Sequence, residues 1–283
     1  MTFNLKTFLI LALVVGVAIG LTTTFMKSAK LVKDFEKDVE KKEFIPEANS
    51  IELSELDATA HRSWKIKAEK SIGTADMNKI ESDNITAQIF DEKDNLKIQI
   101  KSPKAHINRE TQISTLDGPA EVFMAEKGTK MIADHFIIKK GKPFEAIGHV
   151  KILLSPDGAR HINANKAIIS EDMNDITLYQ ISQSPVSPNL LIRGGIMQME
   201  HNSSNKPSKI ILSSGAWVKS NETICESSRL DVLLDANGDP SMAVFTGSPI
   251  ATQKGTRIRA QKIEYIVPTE QVKASGNVRT EII

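Results

Sequence analysis

The feature that most constrains this chain is a pattern that returns every thirty-odd residues. Its first position is held by Ile66, Ile100, Met131, Ile162, Ile192, Cys225 and Ile258, at steps of 34, 31, 31, 30, 33 and 33. Two residues on, each unit carries a small side chain: Ala68, Ser102, Ala133, Ala164, Gly194, Ser227 and Ala260. Seven residues on stand Gly73, Ile107, Ile138, Ile169, Met199, Val232 and Tyr265, mostly large and apolar. A fourth column, Gly118, Gly148, Gly215, Gly247 and Gly276, falls in the second half of the units, and the first and fourth units lack it. Aligned columns of this kind mark a repeat architecture, in which each unit stacks on the next because none can bury its apolar face alone.

The last unit shows what the repeat is made of. From Arg257 to Ile282 it reads RIRAQKIEYIVPTEQVKASGNVRTEI. Small or apolar side chains fall at Ile258, Ala260, Ile263 and Tyr265, then beyond a turn at Pro268 at Val272, Ala274, Val278, Thr280 and Ile282. A spacing of two is the strand period, since successive side chains point to opposite faces. The single three-residue step from Ala260 to Ile263 predicts a bend or bulge that re-aims the strand and keeps one face inward. Gly276 is placed to bend the return strand. Each unit is therefore two bent antiparallel strands with one apolar face, and the chain from Trp64 on is predicted to be all-β. Gly, Pro, Asn and Asp clusters punctuate it at 91–95, 126–128, 140–143, 156–158, 171–175, 202–207, 237–240 and 268–270, as hairpin loops require. Ser184–Asn189, with Pro185 and Pro188, is the largest irregularity, and reads either as a joint between two sheet blocks or as a longer edge loop.

Composition removes several function classes. The 36 basic and 35 acidic residues balance, so there is no overall electrostatic footprint for nucleic acid. Aromatic residues at 5% are too few for base-stacking or for a sugar site built on rings. Cys225 is the sole cysteine, which excludes an intrachain disulfide and reads as a small buried apolar residue. There is no HExxH, paired CxxC, P-loop or GxSxG motif, and no two of the six histidines are two or four apart. Asp91, Asp94, Asp172 and Asp235 sit in turns, where turn propensity accounts for them. The reading is of a chain with no catalytic residue, no metal and no cofactor. The enzymatic rival is a polysaccharide-processing β-helix, which would need convergent carboxylates.

Upstream of the repeats, Phe8 to Phe25 is a nearly uncharged apolar run, long enough at about 1.5 Å per residue to span a hydrocarbon core as a helix. It reads as an uncleaved single-pass anchor within 1–26, or as a signal peptide cleaved after Ala18-Ile19-Gly20; either way the bulk of the chain lies outside the cytoplasm. Residues 27–60 form a charged segment. Its Leu31, Phe35 and Val39 share one helical face, predicting a short juxtamembrane helix that ends at Pro46, then a polar lead-in. The repeats occupy 61–160 and 161–283, read as continuous.

Seven units in a closed barrel would fill with large side chains. Here a column of Ala, Ser and Gly alternates with one of Ile, Met and Val, which leaves room beside an apolar wall. That alternation points to a trough able to take acyl chains, each buried methylene contributing about 0.8 kcal/mol. The residues expected to line it are Ile100, Ile107, Met131, Ala133, Phe136, Ile138, Ile162, Ala164, Ile169, Met197, Met199, Leu230, Val232, Ile258, Ala260, Ile263 and Tyr265. The other reading of the same columns is an ordinary filled core of a structural scaffold. An open sheet also leaves edge strands as templates for a partner's strand. The candidates are the strand carrying Trp64, Ile66 and Ala68, and the last strand, with Val272, Ala274, Val278 and Ile282.

The stretch IRAQKIEY…VKASGNVRTE resembles the OstA-like repeat of the lipopolysaccharide-transport bridge proteins. An apolar N-terminal run leading into WKIKAEK and then MIADHFII…FEAIGHVKILL is similar to the LptC family, and the part after about residue 160 resembles the soluble bridge protein LptA. The resemblance covers residues 64–283. It implies a β-jelly-roll, or β-taco, that shields the acyl chains of lipid A. It also implies inner-membrane attachment, receipt of lipopolysaccharide from an LptF–LptG–LptB transporter, and edge-strand delivery to LptA or an equivalent bridge in outer-membrane biogenesis.

Overall fold

The computed structural model describes residues 47–56, 62–76, 78–91, 93–125, 128–139, 142–170, 175–201 and 207–283. The apolar run 8–25 and the helical reading of 27–43 lie outside them. Among the described residues no helix is long and apolar enough to cross a membrane. The chain divides into two compact units, one running to Gly128 and including Ile132–Glu145, the other comprising Thr129–Met131 and Ala146–Ile283.

The first unit is an antiparallel meander. Strands β1 (Glu47–Leu56), β2 (Arg62–Gly73), β3 (Lys79–Phe90), β4 (Leu96–Asn108) and β5 (Ile113–Met124) each pair with the one before, and β6 (Thr129–Lys139) comes next. In the second unit β7 (Phe144–Leu153) leads to β8 (His161–Ile169), β9 (Ile176–Ser187), β10 (Leu190–His201), β11 (Pro207–Ser220) and β12 (Thr223–Leu234). From β8 to β12 each again pairs antiparallel with the next. The parallel β-helix reading falls with this, because neighbouring strands run antiparallel in both units.

Beyond β12 the bends become breaks. The C-terminal half of β12 pairs with β13 (Pro240–Thr246), and its N-terminal half pairs with β14 (Ile250–Gln253). The last repeat is split the same way. β15 (Thr256–Arg259) pairs with β14 and β16 (Lys262–Ile266) with β13, while β17 (Gln271–Ser275) lies on β16 and β18 (Arg279–Ile282) on β15. The strands of the repeat are thus pairs of half-strands that meet at a corner, intact in the middle of the chain and interrupted at its end.

The predicted three-residue step is that corner. Buried residues along β8 are Ile162 and Ala164, then Ala167 and Ile169. The same skip separates Ser102 from Ala105 and Ala133 from Phe136. Pairing registers shift where it occurs, between Lys101 and Lys104 and between Gly194 and Ile196, as a bulge demands. Outside the second repeat, whose Gly118 is not left-handed, the return strands turn their corners with left-handed backbone. Gly247 has φ +78° and a Cβ there would come within 2.7 Å of Ser228 Cβ, so both conformation and space call for glycine. Gly276, at φ +72°, occupies the equivalent place in the last unit. In the first and fourth units, which lack the glycine, Asn84 (φ 51°) and Gln180 (φ 55°) adopt the same backbone.

Two expectations are corrected. Ser184–Asn189 is neither a joint nor a long loop. β9 runs through Pro185 to Ser187, and Leu190 pairs back on Ser187 across a tight hairpin; the prolines are accommodated at the strand's end. The segment 27–60 is not all linker, because its end forms β1. So polar a strand is held by its antiparallel ladder with β2, to which three lysines add exposed ion pairs: Lys65 Nζ lies 2.5 Å and Lys67 Nζ 2.7 Å from the Glu52 carboxylate, and Lys70 Nζ 2.9 Å from Glu47. Consequently Trp64, Ile66 and Ala68 do not form an edge. β2 is paired with β1 on one side and β3 on the other, and these three side chains are buried.

Candidate functional site

The repeat columns point inward. In the first unit Ile100, Ile107, Ala133 and Phe136 are buried, and Ile138 is half-buried. In the second unit Met131, Ile162, Ala164, Ile169, Met197, Met199, Leu230, Val232, Ile263 and Tyr265 are between 0 and 9% exposed. A side chain with no accessible surface borders no space the size of a water molecule, so around Met131, Ile162 and Leu230, each at 0%, the interior is packed side chain against side chain. The trough expected to stand open is closed along these positions.

Closure ends at the last strands. Ile258 and Ala260, on β15 and just past its end, are only half-buried, although their counterparts Ile162 and Ala164 are buried. Their neighbours on β18 continue the inward face, Ile258 opposite Thr280 and Thr256 opposite Ile282, and Thr280 and Ile282 are exposed. Val278, Ile282 and Ile283, at 49, 88 and 60% exposure, are the exposed large hydrophobic residues among the described part of the chain. Val272 and Ala274 on β17 are half-buried. Of the two expected partner edges, the C-terminal one is the one the fold leaves uncovered, with its apolar face bare.

Polar groups inside are few, and one of them, the Ser114 hydroxyl, has no hydrogen-bond partner. Ser71 and Ser82 hydroxyls meet at 2.7 Å in the first unit, and Ser220 and the Tyr265 hydroxyl at 2.8 Å in the second. Tyr265 therefore presents its ring inward with its oxygen already satisfied. Burial pushes the Cys225 thiol up to about 12, so it is neutral and no nucleophile.

Outside, titratable groups serve structure. Asp91 Oδ1 accepts the backbone N–H groups of Lys93 and Asn95, each at 2.8 Å, and Asp235 Oδ1 does the same for Asn237 and Asp239. Hydrogen bonds, those from Asn95 foremost, hold the Asp91 carboxyl below its ordinary range; these carboxylates build turns. Asp172 lies outside the described residues. One grouping is invisible to sequence spacing: His106 Nε2 and His135 Nδ1 flank the Asp117 carboxylate at 3.0 and 2.7 Å. Strand pairing brings together residues far apart in the chain, on the solvent side. Among the described residues no group of three or more His, Cys, Asp or Glu side chains is arranged to hold a metal ion.

No family model matches the chain, and no curated protein matches it. Among solved structures it is similar to LptH from Pseudomonas aeruginosa, described as the LptA-homologous periplasmic component of a lipopolysaccharide transport device. Identity is 8%, the match covers 66% of this chain and 94% of that one, and the TM-score is 0.29. A likeness at that level carries no argument about mechanism, which rests on the geometry of the chain itself.

Proposed function

We propose that this chain is a membrane-anchored periplasmic carrier. It shields the acyl chains of lipopolysaccharide and passes them from an inner-membrane LptF–LptG–LptB transporter toward an LptA-type bridge. The observation that carries this is the inward apolar face that the repeats of the second unit build and leave uncovered at β15–β18. An acyl chain entering it exchanges contacts between facing side chains for contacts with methylenes, at about 0.8 kcal/mol per methylene taken from water. The uncovered face at Val278 and Ile282 is where a partner strand continues the apolar surface, because main-chain groups on an edge accept an added strand in register.

A second reading, a structural scaffold with a permanently filled core, is favoured by the full burial of Met131, Ile162 and Leu230. Photo-crosslinking separates the two. A crosslinker at Ile138, Ile169 or Tyr265 is expected to capture lipopolysaccharide in cells, and one at the outward Lys139 is not. Equal capture at inward and outward positions, or none at the inward ones in a folded chain, leaves the scaffold reading standing.

A further inference from the structure

The outward faces of the second unit are not alike. Ile192, Val218, Cys225, Ala251 and Ile258 lie in register across β10, β11, β12, β14 and β15 and face inward. Their chain neighbours therefore face out. One outward row is Arg193, Trp217, Glu226, Ile250, Arg259 and Arg279, each opposite the next. The adjacent row includes Lys219, Ile224, Arg257 and Glu281. Across these rows Arg193, Lys219, Arg257, Arg259 and Arg279 outnumber Glu226 and Glu281.

Arg259 and Arg279 stand directly opposite each other on β15 and β18. Like charges in that position oppose strand pairing, and neither arginine has an acidic partner among the described residues. The other half of the same unit handles its charges differently: Arg229 meets Asp231 at 3.0 Å, Lys209 meets Asp231 at 3.6 Å and Lys262 meets Glu264 at 2.6 Å. The arginine-rich face also carries a half-buried tryptophan, with the Arg193 guanidinium 5.1 Å above the Trp217 ring. Ile224 and Ile250 are half-buried beside it.

We propose that this outward face docks on a bilayer surface containing anionic lipid. Six strands at about 4.8 Å spacing make an array roughly 24 Å across, an extended row of side chains rather than a pocket for one phosphate. Basic side chains answer anionic headgroups, while Trp217 and the isoleucines suit the interfacial zone, where amphipathic rings and aliphatic groups settle. The surface lies on the opposite face of these strands from the inward one, and it reaches β18 through Arg279, so docking uses the outward side chains while carriage uses the inward ones.

The chain's two tryptophans supply the probe, because Trp64 is buried and Trp217 lies on the proposed surface. The full chain, reconstituted by detergent removal, is compared in vesicles of phosphatidylcholine alone and with phosphatidylglycerol added, each doped with brominated phospholipid. Tryptophan quenching is expected in the anionic vesicles, at least about twice that in the neutral ones, and suppressed by about 0.5 M salt. It is expected to disappear in Trp217→Phe and to fall to the neutral-vesicle value in the double variant Arg259→Glu, Arg279→Glu. That variant keeps like charges opposed and changes only their sign, so its β15–β18 pairing is stressed no more than before. Equal quenching in both vesicles, or quenching indifferent to the double variant, overturns the proposal. So does salt-sensitive crosslinking from position 259 to protein with no lipid quenching, which would mark a protein partner. Inward crosslinking of lipopolysaccharide reads separately and does not depend on this result.

Discussion

The two ends of the repeat series in the second unit share one sequence pattern and differ in fate. At β8, Ile162 and Ala164 are sealed; at β15, Ile258 and Ala260 hold the same columns and are half-exposed. The column residues are the same in kind, so the cause lies in the strands that come after them. β8 is succeeded by β9 to β12, each paired on the one before, whereas among the described residues β18 alone lies beyond β15, and its inward side chains Thr280 and Ile282 are exposed. Burial here is a property of position in the stack, as expected where each repeat depends on its neighbours.

That comparison is tested most strongly by placing one charge in one column at two depths. Ala133, in the first unit, is 1% exposed, and Ala133→Asp forces an unpaired carboxylate into an apolar interior, at an expected cost of about 3–5 kcal/mol. Against a typical stability of about 5–15 kcal/mol that loss is severe. Ala260→Asp, in the same column but half-exposed, is expected to cost no more than about 1 kcal/mol, because the carboxylate reaches water. Denaturation midpoints of the two variants measure the difference. Equal losses would mean that the last repeat is closed in solution.

How far the sequence foretells this divides along physical lines. The columns at Ala133, Ala164 and Ala260 and the skip after each are legible because a strand's period is local and repeats expose it. The return-strand glycine is legible too, but its absence in the first and fourth units reads as weakness. Asn84 and Gln180 tolerate the same left-handed backbone, and nothing in composition says so. β1 escapes a sequence reading because Ala48, Ile51 and Leu53, its inward positions, are isolated among polar residues, and the meeting of Glu52 and Glu47 with lysines of another strand depends on register. The sealed interior escapes it for a similar reason. A small residue beside a large one looks like a gap in one strand, and is filled only when the facing strand is known. The clustering of Arg259 and Arg279 likewise depends on register.

The corners sharpen the comparison from another side, since backbone conformation is indifferent to depth. Gln180, at φ 55°, carries a left-handed penalty that glycine would not. Gln180→Gly is expected to stabilise by up to about 1 kcal/mol, less whatever its exposed 2.9 Å bond from Asn165 contributes. Gly276→Ala, at the open end, is expected to destabilise by about 1 kcal/mol or more, since φ there is +72° and its Cβ would press on Gln261. Thermal unfolding of both variants decides it. If Gly276→Ala proved harmless, the open end would be loosely formed as well as uncovered.

The smallest effect concerns the first strand of the first unit, which carries exposed ion pairs where β18 shows its apolar side chains. Lys65 and Lys67 hold the Glu52 carboxyl down at about 2, against an ordinary 4.5. A depressed folded value means that this contribution is complete above the ordinary value and is lost as pH falls from about 4.5 through about 2. The pair is exposed and screened, so the expected result is local. Amide exchange of residues 47–54, corrected for intrinsic rate, should quicken between about pH 5 and about pH 2.5 relative to residues 279–282, where the ion pair of Arg257 with Glu281 spans a looser 3.8 Å. The same acceleration at neutral pH in Glu52→Gln would trace it to that carboxylate. Exchange in 47–54 that ignores both changes would mean that main-chain pairing with β2 holds β1 by itself, and that the two strands differ in composition rather than in how they are retained.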